Sequence, residues 1–167
     1  MGFADTLNAA QDQVFANKAY WPKEEDGDEI TFCNLATLAV ANGVGCHGFD
    51  PPEGMIPLRA DEIYHVLSSS KAFIPQRMSM CQALVNEGAF ILAILPSWNL
   101  HQAEGHICSL TPGVGDFSGR WNSFTPMCMN LGRIGTCFRQ KGINWAFQIV
   151  PELYLWSPPA MPVTIET

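Results

Sequence analysis

Apolar residues recur at helical spacing through the first half of the chain. Residues 4–18 carry Leu7 and Val14 on one face, and this spacing predicts an amphipathic helix. Three further helices are predicted over residues 33–43, 59–69 and 76–86. Residues 21–28 are strongly acidic and residues 43–57 are rich in glycine and proline, so we expect a solvated surface turn and a long loop there.

The second half of the chain is predicted to form strands. An unbroken apolar run at residues 89–95 has the length of a strand, and it predicts a strand that is buried on both faces. Further strands are predicted over residues 106–111 and 125–131, and one or two more over residues 143–156, with a break or bulge at Pro151. Helices followed by strands predict an α+β domain, in which the N-terminal helices pack on one face of a short antiparallel sheet.

Cys33 lies at the predicted start of the second helix. Thr31 is suited to the N-cap and Gly43 to the C-terminal stop. The apolar face of this helix is expected to hold Leu35, Leu38 and Ala39. A thiol in the first turn of a helix feels unpaired backbone N–H groups and the positive end of the helix dipole, and both favour the thiolate. We therefore expect Cys33, alone among the six cysteines, to be an accessible nucleophile with a lowered pKa.

His106 follows a glycine at the start of a predicted strand. A cysteine that begins a helix and a histidine that begins a strand are the skeleton of a papain-type thiol hydrolase. Either residue taken alone is also explained as a packing residue, because most free cysteines are small buried apolar groups. Buried free thiols are expected at Cys81, Cys108, Cys128 and Cys137, and structural or surface roles at His47 and His65.

Composition restricts the classes of protein that remain. A chain of 167 residues with 47% hydrophobic and 15% charged residues is predicted to form a single folded domain over residues 1–167. The net charge of -7 argues against a nucleic-acid partner and against an anionic membrane surface. The six cysteines show no CxxC pair and no metal-ligand spacing, so we expect neither a metal nor a cofactor.

Three short motifs resemble one branch of the papain-like cysteine peptidases. Residues 80–112 read as a helix, Asn-Glu-Gly, an apolar strand, a polar loop and then Gly-His-Ile-Cys-Ser-Leu-Thr-Pro. The nucleophile helix begins with Cys33-Asn34, and an Asn-Leu-Gly segment occurs at residues 130–132. In this order and spacing the chain resembles the CHAP and NlpC/P60 families over roughly residues 28–148. The resemblance implies a papain-like fold whose catalytic core occupies that range.

The resemblance also implies a reaction and roles for particular residues. Members of these families mostly cut amide bonds in peptidoglycan, as endopeptidases or amidases acting by acyl transfer. Cys33 would attack the carbonyl carbon, His106 would protonate the leaving amine, and Asn130 would orient the imidazole, with Asn122 as the alternative third residue. Substrate contacts are expected at Asn34, Gln102 and Trp98. The segment 26–32 contains no glutamine, so the backbone N–H of Cys33 is the one oxyanion-hole donor that the motifs identify.

The same resemblance bears on how the protein would reach the cell wall and on which other functions stay open. The first residues lack a basic region followed by an apolar stretch, which predicts synthesis in the cytoplasm without a secretory signal. We therefore expect a phage tail or a secretion system to carry the protein to the cell wall, and a cognate immunity protein to plug the cleft in the latter case. The first alternative is a deamidase, transglutaminase or acyltransferase that acts on a protein. The second is a structural tail or secretion component on a degenerate peptidase fold.

Overall fold

The computed structural model describes residues 2–100 and 104–157, which form a mixed arrangement of helices and strands. The helices are α1 (Phe3–Ala16), α2 (Cys33–Gly43), α3 (Ala60–Ser69), α4 (Met78–Asn86) and the short α5 (Ser97–Leu100). The strands are β1 (Lys23–Glu25), β2 (Asp28–Ile30), β3 (Phe73–Pro75), β4 (Ile91–Leu95), β5 (His106–Leu110), β6 (Asp116–Ser118), β7 (Ser123–Thr125), β8 (Met127–Asn130), β9 (Phe138–Gly142) and β10 (Glu152–Trp156). Within the described ranges, no helix is both long enough and apolar enough to cross a membrane.

Six of these strands form one sheet in the order β3-β10-β4-β5-β8-β9. All of the strand pairs found between described residues are antiparallel, which agrees with the predicted α+β class. Strand β4 lies in the interior of the sheet, and all five of its residues are buried. The prediction of a strand buried on both faces at residues 89–95 is therefore confirmed.

Helix α2 packs against α1 and against β5. Its buried residues are Cys33, Ala36, Thr37, Val40 and Ala41. Of the predicted inner face, Leu38 and Ala39 are partly buried and pack against the core, so the prediction is confirmed in part and the centre of the buried face lies beside it. Small side chains face inward because the neighbouring helix approaches closely. A Cβ atom on Gly43 would lie only 2.7 Å from the Cβ atom of Ala10.

Two long polar side chains attach α1 to the sheet. The Nε2 atom of Gln11, which is fully buried, donates to Oγ of Ser109 at 2.9 Å and to the carbonyl oxygen of Leu110 at 2.8 Å. Arg139 donates from Nε to Asp12 at 2.7 Å and from Nη1 to Thr111 at 2.6 Å. Since α1 packs on α2, these bonds also help to hold α2 against β5.

Several segments differ from the prediction. The acidic segment at residues 21–28, expected to be a solvated turn, contributes to the hairpin of β1 and β2. Asp26 and Gly27 form its tip with φ angles of 54° and 86°, as a tight hairpin turn requires. The range 143–156 agrees with the prediction in holding one strand, β10, which starts directly after Pro151, but it also holds a helical turn at Ile143–Trp145 that was not predicted. Strands β3, β6 and β9 lie outside the predicted strands, and β7 shares only Thr125 with the strand predicted over residues 125–131.

Candidate active site

Cys33 is the first residue of α2. The N-cap is Phe32 and not the predicted Thr31, and no side chain caps this helix end. The first bond of the helix runs from the N–H of Ala36 to the carbonyl oxygen of Phe32 at 2.9 Å. The N–H groups of Cys33 and Asn34 precede that bond, so the helix itself does not use them. They are therefore placed to donate to an anion that forms beside the sulfur.

The sulfur of Cys33 faces the start of β5. Burial raises the pKa of the Cys33 thiol, and the charge of Glu104 acts in the same direction. Hydrogen bonds from the backbone of Ile107 and of Asn34 lower the pKa, but burial is the largest influence. Only 6% of Cys33 is exposed. The prediction of an accessible thiol with a lowered pKa is therefore wrong for this conformation, and the protonated thiol is the favoured form.

His106 is the first residue of β5, where it is paired with Leu95 at the end of β4. Its Nε2 atom lies 2.8 Å from Oδ1 of Asn130. The Phe147 ring packs on the imidazole, with 5.0 Å between the ring centroids. Burial lowers the pKa of His106 and outweighs the influence of Cys108 and the hydrogen bond to Asn130, both of which raise the pKa. The neutral imidazole is therefore favoured.

Asn130 is the last residue of β8 and is 1% exposed. Its Nδ2 atom donates to the carbonyl oxygen of Thr136 at 2.8 Å, which orients Oδ1 toward His106. An amide oxygen only accepts hydrogen bonds, so the Nε2 atom of the neutral imidazole must carry the proton that it donates to Asn130. Nδ1 is then unprotonated and can accept a proton from a nucleophile.

Asn122, the alternative third residue, lies elsewhere. It is the residue just before β7, in the connection from β6, and its φ angle is 47°. Asparagine tolerates this left-handed conformation better than most residues. The structure thus places Asn130 on the imidazole and Asn122 in a turn.

Two glycines in the motifs lie in tightly packed positions beside the histidine. A Cβ atom on Gly132 would lie 3.0 Å from Cε1 of His106, so the Asn-Leu-Gly segment packs directly on the ring. A Cβ atom on Gly105 would lie 2.6 Å from Oδ1 of Asp61 and 2.7 Å from the carbonyl oxygen of Leu95. Gly105 therefore needs to lack a side chain, whereas a methyl group at Gly132 would push the side chains of His106 and Asn130 aside by a few tenths of an ångström.

Cys33 and His106 open onto adjoining cavities. The first, of about 370 Å³, is lined by Cys33 and Asn34. The second, of about 940 Å³, is lined by His106 and Asn130. The two cavities share Thr31, Glu104 and Gly105 in their walls. Together they form one cleft. We call the first cavity the Cys33 chamber and the second the His106 chamber.

The three expected substrate contacts have different positions. Asn34 lines the Cys33 chamber, and its Nδ2 atom donates to the carbonyl oxygen of Leu58 at 2.8 Å. Trp98 is 48% exposed and packs on the rings of Tyr64 and His65, at centroid distances of 5.4 Å and 5.7 Å. The described residues that line the two chambers do not include Trp98. Gln102 lies outside the described residues.

Several site residues have no recognisable signal in the sequence. Phe147 and Thr136 lie in turns far along the chain from His106 and Cys33. Asp61 accepts hydrogen bonds from the N–H of Ser97 at 2.8 Å and from its hydroxyl at 2.6 Å, which holds the start of α5 against α3. Arg120 and Arg133 line the His106 chamber. Gly132 lies two positions after the end of β8, and its residue type favours a turn there.

All six cysteines are free thiols, and Cys137 is the one that is half-buried while the others are buried. The buried free thiols predicted at Cys81, Cys108 and Cys128 are thus confirmed, whereas Cys137 is partly exposed. Among residues 2–100 and 104–157, no group of three or more His, Cys, Asp and Glu side chains is placed to hold a metal ion. No protein-family model and no curated protein matches the sequence.

Proposed function

We propose that the protein is a papain-like cysteine hydrolase that cleaves an amide bond in the stem peptides of peptidoglycan, as an endopeptidase or amidase. The observation that carries this proposal is the contact of 2.8 Å between Nε2 of His106 and Oδ1 of Asn130. Because Nε2 carries the proton that this contact needs, Nδ1 is the basic atom of the imidazole. His106 itself is the first residue of β5. The sulfur of Cys33 lies at the backbone of the next residue, Ile107.

The reaction starts from a neutral pair, because burial raises the pKa of Cys33 and lowers the pKa of His106. As the sulfur attacks the carbonyl carbon, the thiol proton passes to Nδ1 of His106. The N–H group of Cys33, at the positive end of α2, stabilises the oxyanion. His106 then gives the proton to the nitrogen of the leaving amine, and the C–N bond breaks. Water releases the acid from the thioester, again with His106 as the base.

Asn130 acts as the orienting residue. Its amide is fixed on one side by the carbonyl oxygen of Thr136 and accepts from His106 on the other. This holds the ring in the tautomer that the base step needs and stabilises the imidazolium that forms. Phe147 excludes water from one side of the same ring.

The choice of peptidoglycan rests on the resemblance of the three motifs to CHAP and NlpC/P60 enzymes. The open cleft supports it, since two adjoining chambers give room for an extended peptide on both sides of the scissile bond. In this proposal a phage tail or a secretion system delivers the protein to the cell wall, and an immunity protein is the expected partner in producing cells.

Digestion of purified sacculi, followed by mass spectrometry of the released muropeptides, tests the proposal. We expect the wild-type protein to release soluble fragments whose new termini identify the bond. Cys33→Ala should release none. Cys81→Ala is the matched control, because Cys81 is a buried thiol on α4 outside both chambers, and it should retain activity. Intact sacculi after treatment with folded wild-type protein would overturn the choice of substrate.

A further inference from the structure

Arginines are concentrated in the cleft of this acidic protein. The chain has 9 Lys and Arg residues against 16 Asp and Glu residues. Even so, Arg120 and Arg133 both line the His106 chamber. A pair of cations in one cavity of a protein with a net charge of -7 favours an anionic group as its ligand.

Both arginines are linked to the catalytic histidine. Nη1 of Arg120 donates to the carbonyl oxygen of Phe147 at 3.4 Å, and the ring of Phe147 packs on His106. The positive charge of Arg133 lowers the pKa of His106, so the Arg133 guanidinium lies within electrostatic range of the imidazole. The preceding residue, Gly132, packs on the same ring.

Two carboxylates share the walls of the His106 chamber. Glu29 accepts a hydrogen bond from the backbone N–H of Ile134, which ties β2 to the turn after β8. Glu104 lies where the two chambers meet. Arg120 and Arg133 line only the His106 chamber, where they balance Glu29 and Glu104. The Cys33 chamber holds one arginine, Arg59, beside Asp61, Glu62 and Glu104. The histidine side is therefore the less negative part of the cleft.

We propose that Arg120 and Arg133 form a subsite for carboxylate groups on the amine portion of the substrate, which is the part that leaves with the amide nitrogen. This inference rests on the proposed function. His106 gives its proton to that nitrogen, so the amine portion must lie on the histidine side of the cleft. A guanidinium binds a carboxylate through two parallel hydrogen bonds. The subsite would thus select peptides with free carboxylates over peptides in which these groups are amidated.

Binding to the Cys33→Ala protein tests this without turnover. The probes are a synthetic stem tetrapeptide with free carboxylates, L-Ala-γ-D-Glu-meso-diaminopimelate-D-Ala, and the same peptide with its carboxylates amidated. Calorimetry should give a Kd about tenfold lower for the free form. Adding Arg120→Gln and Arg133→Gln should weaken binding of the free form and abolish the preference. Arg120→Lys, which keeps the charge but loses the planar fork, should give an intermediate preference.

Arg77→Gln is the matched control, because Arg77 is exposed and lines neither chamber. It removes the same charge and should retain the preference. Equal affinities for the two peptides in the Cys33→Ala protein, or a preference that persists without both arginines, would overturn the subsite. Binding that depends on the arginines while wild-type protein leaves sacculi intact would support the subsite and overturn the hydrolase. If the Cys33→Ala protein bound both peptides equally while wild-type protein digested sacculi normally, the hydrolase would be supported and the subsite overturned.

Discussion

Gly105 and Asp61 approach so closely that a Cβ atom on the glycine would lie 2.6 Å from the Oδ1 atom of the carboxylate. The same carboxylate accepts two hydrogen bonds from Ser97. Asp61 therefore joins α3 to the start of α5 at the point where the chain enters β5. His106 is the next residue, so the position of the proposed catalytic base depends on a contact between three separate elements.

Gly105→Ala should lower both stability and activity. The added methyl group would also lie 2.7 Å from the carbonyl oxygen of Leu95 and 3.1 Å from Cα of Pro96, and backbone atoms cannot swing aside. We expect a loss of about 1–3 kcal/mol in the free energy of unfolding, measured by urea titration. The matched control is Gly119→Ala, because a Cβ atom at Gly119 would have nothing within 4 Å. A loss at Gly119 as large as that at Gly105 would contradict the steric explanation.

Asn130→Ala should lower kcat while changing KM little. Without the amide, the His106 ring can rotate and take the other tautomer, and misorientation of this kind costs roughly 10–100-fold in rate. Asn122→Gly is the control, because Asn122 has a φ angle of 47° that glycine adopts without strain. It should leave kcat unchanged. If Asn122→Gly lowered kcat and Asn130→Ala did not, the roles of the two asparagines would be reversed.

The pKa shifts predict a wide pH range for activity. His106 acts as a base only when neutral, and burial lowers its pKa, so the acidic limb of kcat/KM should lie below the usual histidine value of about 6.5. Burial raises the pKa of Cys33, so the thiol should persist above the usual value of about 8.5. Removing the Asn130 hydrogen bond, which raises the pKa of His106, should move the acidic limb to lower pH still. An acidic limb above pH 6.5 would contradict this assignment.

The pH dependence of alkylation by iodoacetamide provides a separate measure of the pKa of Cys33. The rate should rise with pH through a midpoint above that of free cysteine, because the thiolate reacts and burial disfavours it. Glu104→Gln should lower that midpoint, since the negative charge of Glu104 raises the pKa of Cys33. Glu53→Gln, an exposed change outside both chambers, should leave it unchanged. Peptide mapping identifies the modified residue, and a midpoint that both changes shift equally would exclude a local effect.

Much of the fold could be predicted from local patterns. The run at residues 89–95 is apolar without interruption, and its length favours a strand buried on both faces over a buried helix. The hairpin at residues 23–30 was missed because its strands are acidic and exposed. Its Asp26-Gly27 tip was the available signal, since Asp-Gly favours the left-handed φ angles of a tight turn. The centre of the inner face of α2 was misplaced, although Leu38 and Ala39 do pack against the core, because small residues are preferred where a helix packs as closely as Gly43 does on Ala10.

The candidate site could be predicted only where a residue marks an element boundary. Cys33 begins a helix and His106 begins a strand, and both positions follow from the elements themselves. The choice between Asn130 and Asn122 depended on the register of β8 against β5, which tertiary packing decides. The pKa of Cys33 was misjudged because the helix dipole can be inferred from sequence, whereas burial cannot. Phe147 and Asp61 reach the site only through the fold.

Toxicity by compartment tests the proposed substrate in living cells. Peptidoglycan lies outside the cytoplasmic membrane, so protein expressed in the cytoplasm should be harmless, whereas protein fused to an export signal should lyse the cells. Lysis should require the nucleophile and should therefore disappear in Cys33→Ala and persist in Cys81→Ala. Turbidity and microscopy follow lysis, and muropeptide analysis of the same cultures shows whether the wall was cut. Killing from the cytoplasm that needs Cys33 but leaves sacculi intact would instead favour a deamidase or acyltransferase, because such an enzyme would use the same thiol and imidazole on a cytoplasmic protein.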